Sequence, residues 1–188
     1  AIADYGRVIK IPDNNMDFAT ASTLPIALAT MHNAIVTIGN FSKGQSILIQ
    51  GASSGVGLMG LQIAKHLGAK LVIGTSTKPE KFDKLKSIGA DLVVNSKDKD
   101  WVDQVLQATN NEGVDLIIDQ LSGYTINENM KASKVKGTIV NVGRLAGGNT
   151  EFNCDLHALR RINYRGVTFR TRSINEIREV YSKMWSDL

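Results

Sequence analysis

The 188-residue sequence predicts an α/β fold built on one doubly wound parallel sheet. From residue 46 onward, short apolar segments typical of strands alternate with segments in which apolar residues recur at helical spacing. The strand-like segments are apolar almost throughout, so each should be buried on both faces, as in a parallel sheet. Because strand–helix–strand crossovers are right-handed, few topologies remain for such a chain.

Six strands are predicted, each a short aliphatic run next to glycine or polar residues. They cover residues 46–49, 71–73, 92–94, 116–118, 138–142 and 167–169. The helices between and after them begin near Val56, Phe82, Trp101, Asn127, Leu156 and Ile174. A glycine-rich motif directly after the first strand favours the six-stranded Rossmann sheet with strand order 3-2-1-4-5-6.

The first 45 residues do not follow this alternation. Residues 2–11 are strand-like, and residues 18–38 are mostly helical. We therefore divide the chain into residues 1–45, the tail of a preceding domain with connecting helices, and residues 46–188, a nucleotide-binding domain. The chain stops in or just after a helix, so we expect it to be part of a longer polypeptide.

Composition and charge exclude several classes of protein. The net charge is +4, aromatic residues make up 6%, and no long cluster of Lys or Arg exists, so nucleic-acid binding is not predicted. The single cysteine, Cys154, excludes an internal disulfide. Since the three histidines are also far apart in the sequence, we predict no metal site.

Two uncharged stretches, residues 18–42 and 44–64, are long enough to raise the question of a membrane. Proline, glycine and polar residues interrupt the first, and glycine and serine residues interrupt the second. Neither is the near-continuous apolar run of about 20 residues that a spanning helix needs. No secretory signal opens the chain. We therefore expect a cytoplasmic protein that does not bind membranes.

The clearest motif is Gly51–Gly57 (GASSGVG), which follows a strand and opens a helix. Its small residues let the backbone turn sharply and approach a pyrophosphate, while free N–H groups and the positive helix end face the phosphates. The alternative is a tight turn with no ligand. We favour a dinucleotide and assign four residues of this loop to the cofactor site: Ser53, Ser54, Gly55 and Val56.

The end of the second strand indicates which dinucleotide is bound. An NAD site needs a carboxylate there for the ribose, but this strand ends at Ser76 and the first acid is Glu80. Glu80 is better explained by a capping box with Thr77. Ser76 as a donor and Lys81 as a charge suit a 2′-phosphate, which favours NADPH. The alternative is that Lys81 is an ordinary solvated lysine.

Several short motifs together resemble the medium-chain dehydrogenase/reductase superfamily, and most of all its zinc-free NADPH:quinone oxidoreductase branch. The resemblance covers nearly the whole chain and implies a two-domain reductase, with a catalytic domain before residue 1 whose tail is residues 1–12. The motifs are ASTLP at 21–25 with Ala29-Thr30, GQS at 44–46, the loop at 51–57, GAD at 89–91, GVD at 113–115, GTIVNVG at 137–143 and GVTFRTRS at 166–173.

The resemblance also implies roles for individual residues. Gly55 and Val56 give N–H groups to the pyrophosphate, and Ser76 and Lys81 match the 2′-phosphate corner. The remaining positions are Thr30 near the nicotinamide, Leu121 beside the adenosine ribose, and Val142, Gly143 and Phe169 lining the nicotinamide. Apart from the resemblance, we assign Arg144 to the cofactor site because it follows that loop; the alternative is that it does not reach the cofactor. Two residues depart from the branch: Ser54 replaces its usual glycine, and Ser96 stands where many members carry a tyrosine.

The predicted function is hydride transfer from NADPH to a quinone or an α,β-unsaturated carbonyl. We assign no catalytic residue, since the groups that touch the small-molecule acceptor would come largely from the preceding domain. Two alternatives stay open: an enoyl reductase module of a larger synthase, and a nucleotide-binding module without turnover. The short-chain dehydrogenases share the glycine motif but need Tyr-x-x-x-Lys, which no tyrosine of this chain provides.

The last predicted strand suggests a homodimer. Residues 166–171 lie at the end of the strand order, so one side of their backbone should lack a partner within the chain. Pairing with a second copy about a two-fold axis would give one continuous sheet, as the resemblance also implies. Arg170 and Arg172 oppose this, because like charges would meet near the axis.

Overall fold

The computed structural model describes residues 2–11 and 16–188. Its centre is a six-stranded, all-parallel sheet with the order β3-β2-β1-β4-β5-β6, as predicted. The strands are β1 (Ser46–Ile49), β2 (Leu71–Thr75), β3 (Leu92–Val94), β4 (Val114–Asp119), β5 (Ser133–Asn141) and β6 (Asn163–Gly166). The chain order reverses between β1 and β4, and this switch point is where doubly wound sheets bind their ligands.

Helices cover both faces of the sheet. Side chains alternate across β1, so that Ile47 and Ile49 enter the core on one face and Leu48 the core on the other. All three are fully buried, which confirms strands buried on both faces. The helices are α1 (Phe18–His32), α2 (Gly55–His66), α3 (Phe82–Ile88), α4 (Trp101–Ala108), α5 (Ile126–Ala132), α6 (Cys154–Arg160) and α7 (Ile174–Asp187).

The helical prediction for residues 18–38 is confirmed. Helix α1 continues into a π-helical segment, Asn33–Ile38, and together they are long and apolar enough to cross a membrane by length and composition. Core helices of globular proteins pass the same test, and here Met31, Ala34 and Ile35 are fully buried. Met31 approaches Gly60 of α2 so closely that a Cβ there would lie 3.2 Å from its sulfur. Helix α1 thus packs directly on the sheet and on α2.

Two of the strand predictions are wrong. The sixth strand is Asn163–Gly166 and not 167–169, because an edge strand need not be apolar, and Val167 only closes the ladder through its N–H to the carbonyl of Asn141 at 3.0 Å. Residues 2–11 were expected to be strand-like, but they contain a short 3₁₀ turn, Tyr5–Arg7. The carboxylate of Asp4 accepts the N–H of Gly6 at 2.8 Å and so favours a turn there.

Candidate cofactor-binding site

The glycine loop lies at the carboxyl end of the central strand β1, between β2 and β4. Gly51 begins the turn with a φ of +71°, a backbone conformation that residues other than glycine rarely adopt. The adjacent N–H groups are tied to β2: Gly51 donates to Oγ1 of Thr75 at 3.0 Å, and Ala52 donates to its carbonyl at 2.9 Å. The loop is therefore held at the switch point, where the sequence predicted it.

Ser54 serves as the N-cap of α2. Its Oγ accepts the N–H of Gly57 at 3.0 Å and lies 3.0 Å from two acceptors, the carbonyl of Gly51 and Oε1 of Gln120. The N–H of Ser54 also donates to Gly51. The serine that departs from the resembled branch thus uses its polar groups inside the protein, as a cap does.

Two N–H groups at the start of α2 remain free. Within the described part of the chain, the N–H groups of Gly55 and Val56 have no hydrogen-bond partner, because Ser54 caps only Gly57. They lie at the positive end of a 12-residue helix. Free N–H groups with that dipole are the donors that a phosphate group needs.

The two glycines of the helix start differ in their surroundings. A Cβ built on Gly57 would lie 2.5 Å from the carbonyl oxygen of Gly51, so no side chain fits between helix and loop. A Cβ on Gly55 would meet nothing within 4 Å, and Gly55 is exposed. Gly57 is therefore needed for packing, whereas the space beside Gly55 is open for a ligand.

A buried amide network beneath the loop was not predicted from the sequence. Gln50 is fully buried; its Oε1 accepts the hydroxyl of Thr75 at 2.8 Å and its Nε2 donates to Asn129 at 2.6 Å. Gln120 donates from Nε2 to the carbonyl of Gln50 at 2.9 Å. The available signal was a glutamine directly after β1 and another after β4, where a buried polar side chain must find partners.

Asp119 ends β4 and organises the loop that follows. Its Oδ1 accepts the N–H groups of Leu121 and Ser122 at 2.8 and 2.9 Å, and its Oδ2 accepts Nδ2 of Asn129 at 3.1 Å. Burial raises the pKa of this carboxyl, and the N–H donors act in the opposite direction. Leu121 is thereby directed back to the glycine loop, where its Cδ2 lies 3.3 Å from a Cβ built on Gly51.

The loop after β5 lies against the loop after β4. Both Val142 and Gly143 donate their N–H groups to the carbonyl of Asp119, at 2.8 and 3.2 Å. Gly143 is confined, since a Cβ there would lie 2.6 Å from the carbonyl oxygen of Gln120. Arg144 follows as an exposed residue. Val142, Gly143 and Arg144 thus lie at the carboxyl edge of the sheet.

Thr30 and Phe169, assigned to the nicotinamide end, come from neighbouring elements. Phe169 packs in a small cluster with Ala29, the residue before Thr30, and with Val180 of α7. The guanidinium of Arg172 lies 5.0 Å from the centre of the Phe169 ring. Helix α1 and the segment after β6 therefore meet on the same side of the molecule.

The corner at the end of β2 departs from prediction in one respect. The capping box of Thr77 and Glu80 does not form, and Pro79 begins a short 3₁₀ turn without a side-chain cap. The N–H of Lys78 donates instead to the hydroxyl of Ser76 at 3.2 Å, so this N–H has a partner two residues away. Ser76 is buried, and the half-buried Lys81 is the last residue of that turn, directly before α3.

Tyr124 is a further residue that sequence reasoning missed. Its phenol oxygen lies 3.3 Å from Oγ of Ser96, the position at which many members of the resembled branch carry a tyrosine. Ser96, Lys97, Trp101 and Tyr124 line a cleft of about 410 Å³ beyond the end of β3. The loop after β4 thus places an aromatic ring, that of Tyr124, next to Ser96.

The model of the family described as zinc-binding dehydrogenase matches residues 55–186. The chain belongs to this family. That membership, with the parallel Rossmann sheet and the loop geometry, makes the chain a nucleotide-binding domain of the medium-chain dehydrogenase/reductase superfamily, an oxidoreductase group. The superfamily prediction is confirmed.

Three relatives show where such a domain occurs. The chain is 33% identical over 165 residues to highly reducing polyketide synthase pkhB of Emericella nidulans, covering 86% of this chain and 6% of that protein. A mycobacterial quinone oxidoreductase superposes with a TM-score of 0.81 and 26% identity, over 94% of this chain and 55% of that one. CurK enoyl reductase superposes with a TM-score of 0.78 and 25% identity, over 95% and 54%. The chain thus spans about half of these solved proteins and a small part of the synthase.

The family name refers to zinc, which the residues described here do not fit. In residues 2–11 and 16–188, no group of three or more His, Cys, Asp or Glu side chains is arranged to hold a metal ion. Cys154 is exposed on α6, and Nε2 of His32 lies 2.8 Å from Oδ2 of Asp187.

Proposed function

We propose that this chain binds NADPH and is the cofactor-binding part of a reductase that delivers hydride to a quinone or an α,β-unsaturated carbonyl. One observation carries the binding proposal: two free N–H groups, of Gly55 and Val56, border open space at the switch point of a parallel sheet. The quinone acceptor is supported by similarity to a mycobacterial quinone oxidoreductase.

The side chains and backbone of this domain bind and orient the cofactor. Bound NADPH would supply the hydride chemistry. Gly55 and Val56 would hold the pyrophosphate, and Ser76 with Lys81 would meet the 2′-phosphate. The loop after β5, together with Thr30 and Phe169, would lie along the nicotinamide end. Proton transfer to the acceptor would fall to groups outside this chain.

An enoyl reductase module of a larger synthase is the second candidate. It is favoured by the identity of 33% to a highly reducing polyketide synthase and by the likeness to CurK enoyl reductase. Both candidates use the same cofactor site, and an enoyl group is itself part of an α,β-unsaturated carbonyl. The two candidates can be separated by measuring how fast the whole polypeptide reduces a quinone and how fast it reduces an enoyl thioester in the steady state.

The 188-residue chain alone should bind NADPH but reduce quinones poorly. The portion that closes over the nicotinamide and excludes water lies outside it. Calorimetry should detect saturable NADPH binding, while NADPH oxidation followed at 340 nm with an added quinone should stay close to the rate without protein. Failure to bind NADPH would contradict the proposed function. Saturable quinone reduction by the chain alone would show that its own residues complete the active site.

We also propose that the protein is cytoplasmic and forms a homodimer through the free edge of the sheet at β6 (Asn163–Gly166). Residues 167–171, which were predicted as part of this edge, continue it as a bend and a turn and would lie beside the interface. In the described part of the chain, strand β6 pairs with β5 on one side and ends the strand order, so the N–H and C=O groups of its other edge are available for pairing. Sedimentation velocity should show a dimer for the wild-type chain and a monomer for Thr168→Pro, which removes an N–H and restricts the backbone. A wild-type monomer at high concentration, or an intact dimer in a folded Thr168→Pro variant, would refute this interface.

A further inference from the structure

Ser122 holds an unusual backbone conformation in the loop after β4. Its φ of 55° and ψ of −145° lie outside the regions that non-glycine residues favour. Hydrogen bonds hold it in place: its N–H donates to Asp119 at 2.9 Å, and its carbonyl accepts the N–H and the hydroxyl of Thr125 at 3.1 and 2.9 Å. Strain that is held in this way is commonly found at functional sites.

The conformation directs the Ser122 hydroxyl between two strand ends. Nδ2 of Asn141, at the end of β5, donates to Oγ of Ser122. Because an amide nitrogen can only donate, Oγ is the acceptor of this bond and its own proton is free for another. That proton points to the carbonyl oxygen of Gly143, 2.8 Å away. Ser122 is 3% exposed, so water does not compete for these bonds.

The bond to Gly143 fixes the orientation of one peptide group. In a trans peptide the carbonyl and the following N–H point in opposite directions. With the Gly143 carbonyl held inward by Ser122, the N–H of Arg144 is turned outward. Within the described residues that N–H has no hydrogen-bond partner, and Arg144 is exposed.

We propose that Ser122 is a positioning residue for the nicotinamide nucleotide: by holding the Gly143 carbonyl, it presents the Arg144 N–H as a donor to that half of the cofactor. The inference rests on the proposed function. A doubly wound sheet binds one nucleotide on each half, and the loop after β5, which carries Gly143 and Arg144, lies on the second half. The adenosine half would lie on the side of β2 and β3, away from this peptide.

The test compares two ligands, NADPH and 2′,5′-ADP, which has the adenosine half without the nicotinamide. Ser122→Ala should weaken NADPH binding about fivefold, the worth of one neutral hydrogen bond, and leave the affinity for 2′,5′-ADP unchanged. Ser122→Gly, which relieves the backbone strain, should show the same selective loss. Ser133→Ala is the matched control, because the buried Ser133 hydroxyl also donates to a carbonyl at 2.8 Å, that of Asn129, but away from these loops.

An independent readout is the amide spectrum. The ¹⁵N–¹H signal of Arg144 should shift on adding NADPH to the wild-type chain, and not on adding 2′,5′-ADP. Equal losses for both ligands in Ser122→Ala, no loss for either, or an Arg144 signal unmoved by NADPH would overturn the positioning role. A wild-type chain that binds neither ligand would instead contradict the proposed function, which separates the two failures.

Discussion

Replacing Gly55 with valine is expected to abolish NADPH binding and to leave the fold intact. A Cβ at this position meets no protein atom within 4 Å, so the valine side chain would occupy the space assigned to the pyrophosphate. The variant would lose the bonds from Gly55 and Val56, each a charge-assisted bond worth about 1.5–3 kcal/mol. We therefore expect affinity to fall by at least about 100-fold, measured by calorimetry.

Gly57→Ala is the matched control two residues along the same helix. A Cβ at Gly57 would lie 2.5 Å from the Gly51 carbonyl oxygen and 2.7 Å from Ala52. Overpacking of this kind costs about 1–3 kcal/mol. Gly57→Ala should therefore lower the melting temperature by about 2–12 °C, whereas Gly55→Val should change it little.

Comparing Gly55→Val with Gly57→Ala separates an effect on NADPH binding from an effect on the packing of α2. Wild-type NADPH affinity in Gly55→Val would show that the cofactor lies elsewhere. A large fall in the melting temperature of Gly55→Val would show that the space beside this residue is not open in solution. Either outcome would remove the observation on which the binding proposal stands.

The second large effect concerns the 2′-phosphate. Lys81→Ala should weaken NADPH binding about tenfold, the lower range for a bond to a charged group, and leave NADH binding unchanged. Only NADPH carries the 2′-phosphate, and no carboxylate follows β2 directly to hold a ribose 2′-hydroxyl. Parallel calorimetric titrations with both cofactors measure the difference, at one fixed salt concentration because such contacts are screened.

Lys84→Ala supplies the control for this experiment. Lys84 is an exposed lysine one turn further along α3, so its removal changes the net charge by the same amount without touching the corner at Ser76. It should leave both affinities within about twofold, the worth of a surface charge. Equal losses for NADPH and NADH in Lys81→Ala, or tighter binding of NADH by the wild-type chain, would refute the preference for NADPH.

The sequence was sufficient for those parts of the fold that depend on burial. The bounds of β1 and β3 match the prediction, because a short aliphatic run between Gly or polar residues is compatible with little other than a buried strand. The glycine loop was also predictable, since its position after β1 and before α2 is itself the signal. Strand β6 was misplaced by about four residues because its polar residues carry no burial signal.

Polar contacts between distant residues were beyond sequence reasoning. Gln50, Gln120 and Asn129 form their network only because the ends of β1 and β4 meet helix α5 at one edge of the sheet. The capping role of Ser54 depends on whether a helix begins at the next residue, a boundary that sequence periodicity does not fix to one residue. The backbone conformation of Ser122 could not be predicted either, because no local sequence pattern indicates it.

Binding of the NADPH pyrophosphate by the backbone at the start of α2 is the basis of the proposed function. An NMR titration of the ¹⁵N-labelled chain with NADPH tests it most directly, because it reports on each amide. We expect the largest shifts at the Gly55 and Val56 amides. The amides of Lys134 and Lys136, at the opposite edge of the sheet near the start of β5, should not shift. Saturable NADPH binding that leaves Gly55 and Val56 unshifted would contradict it.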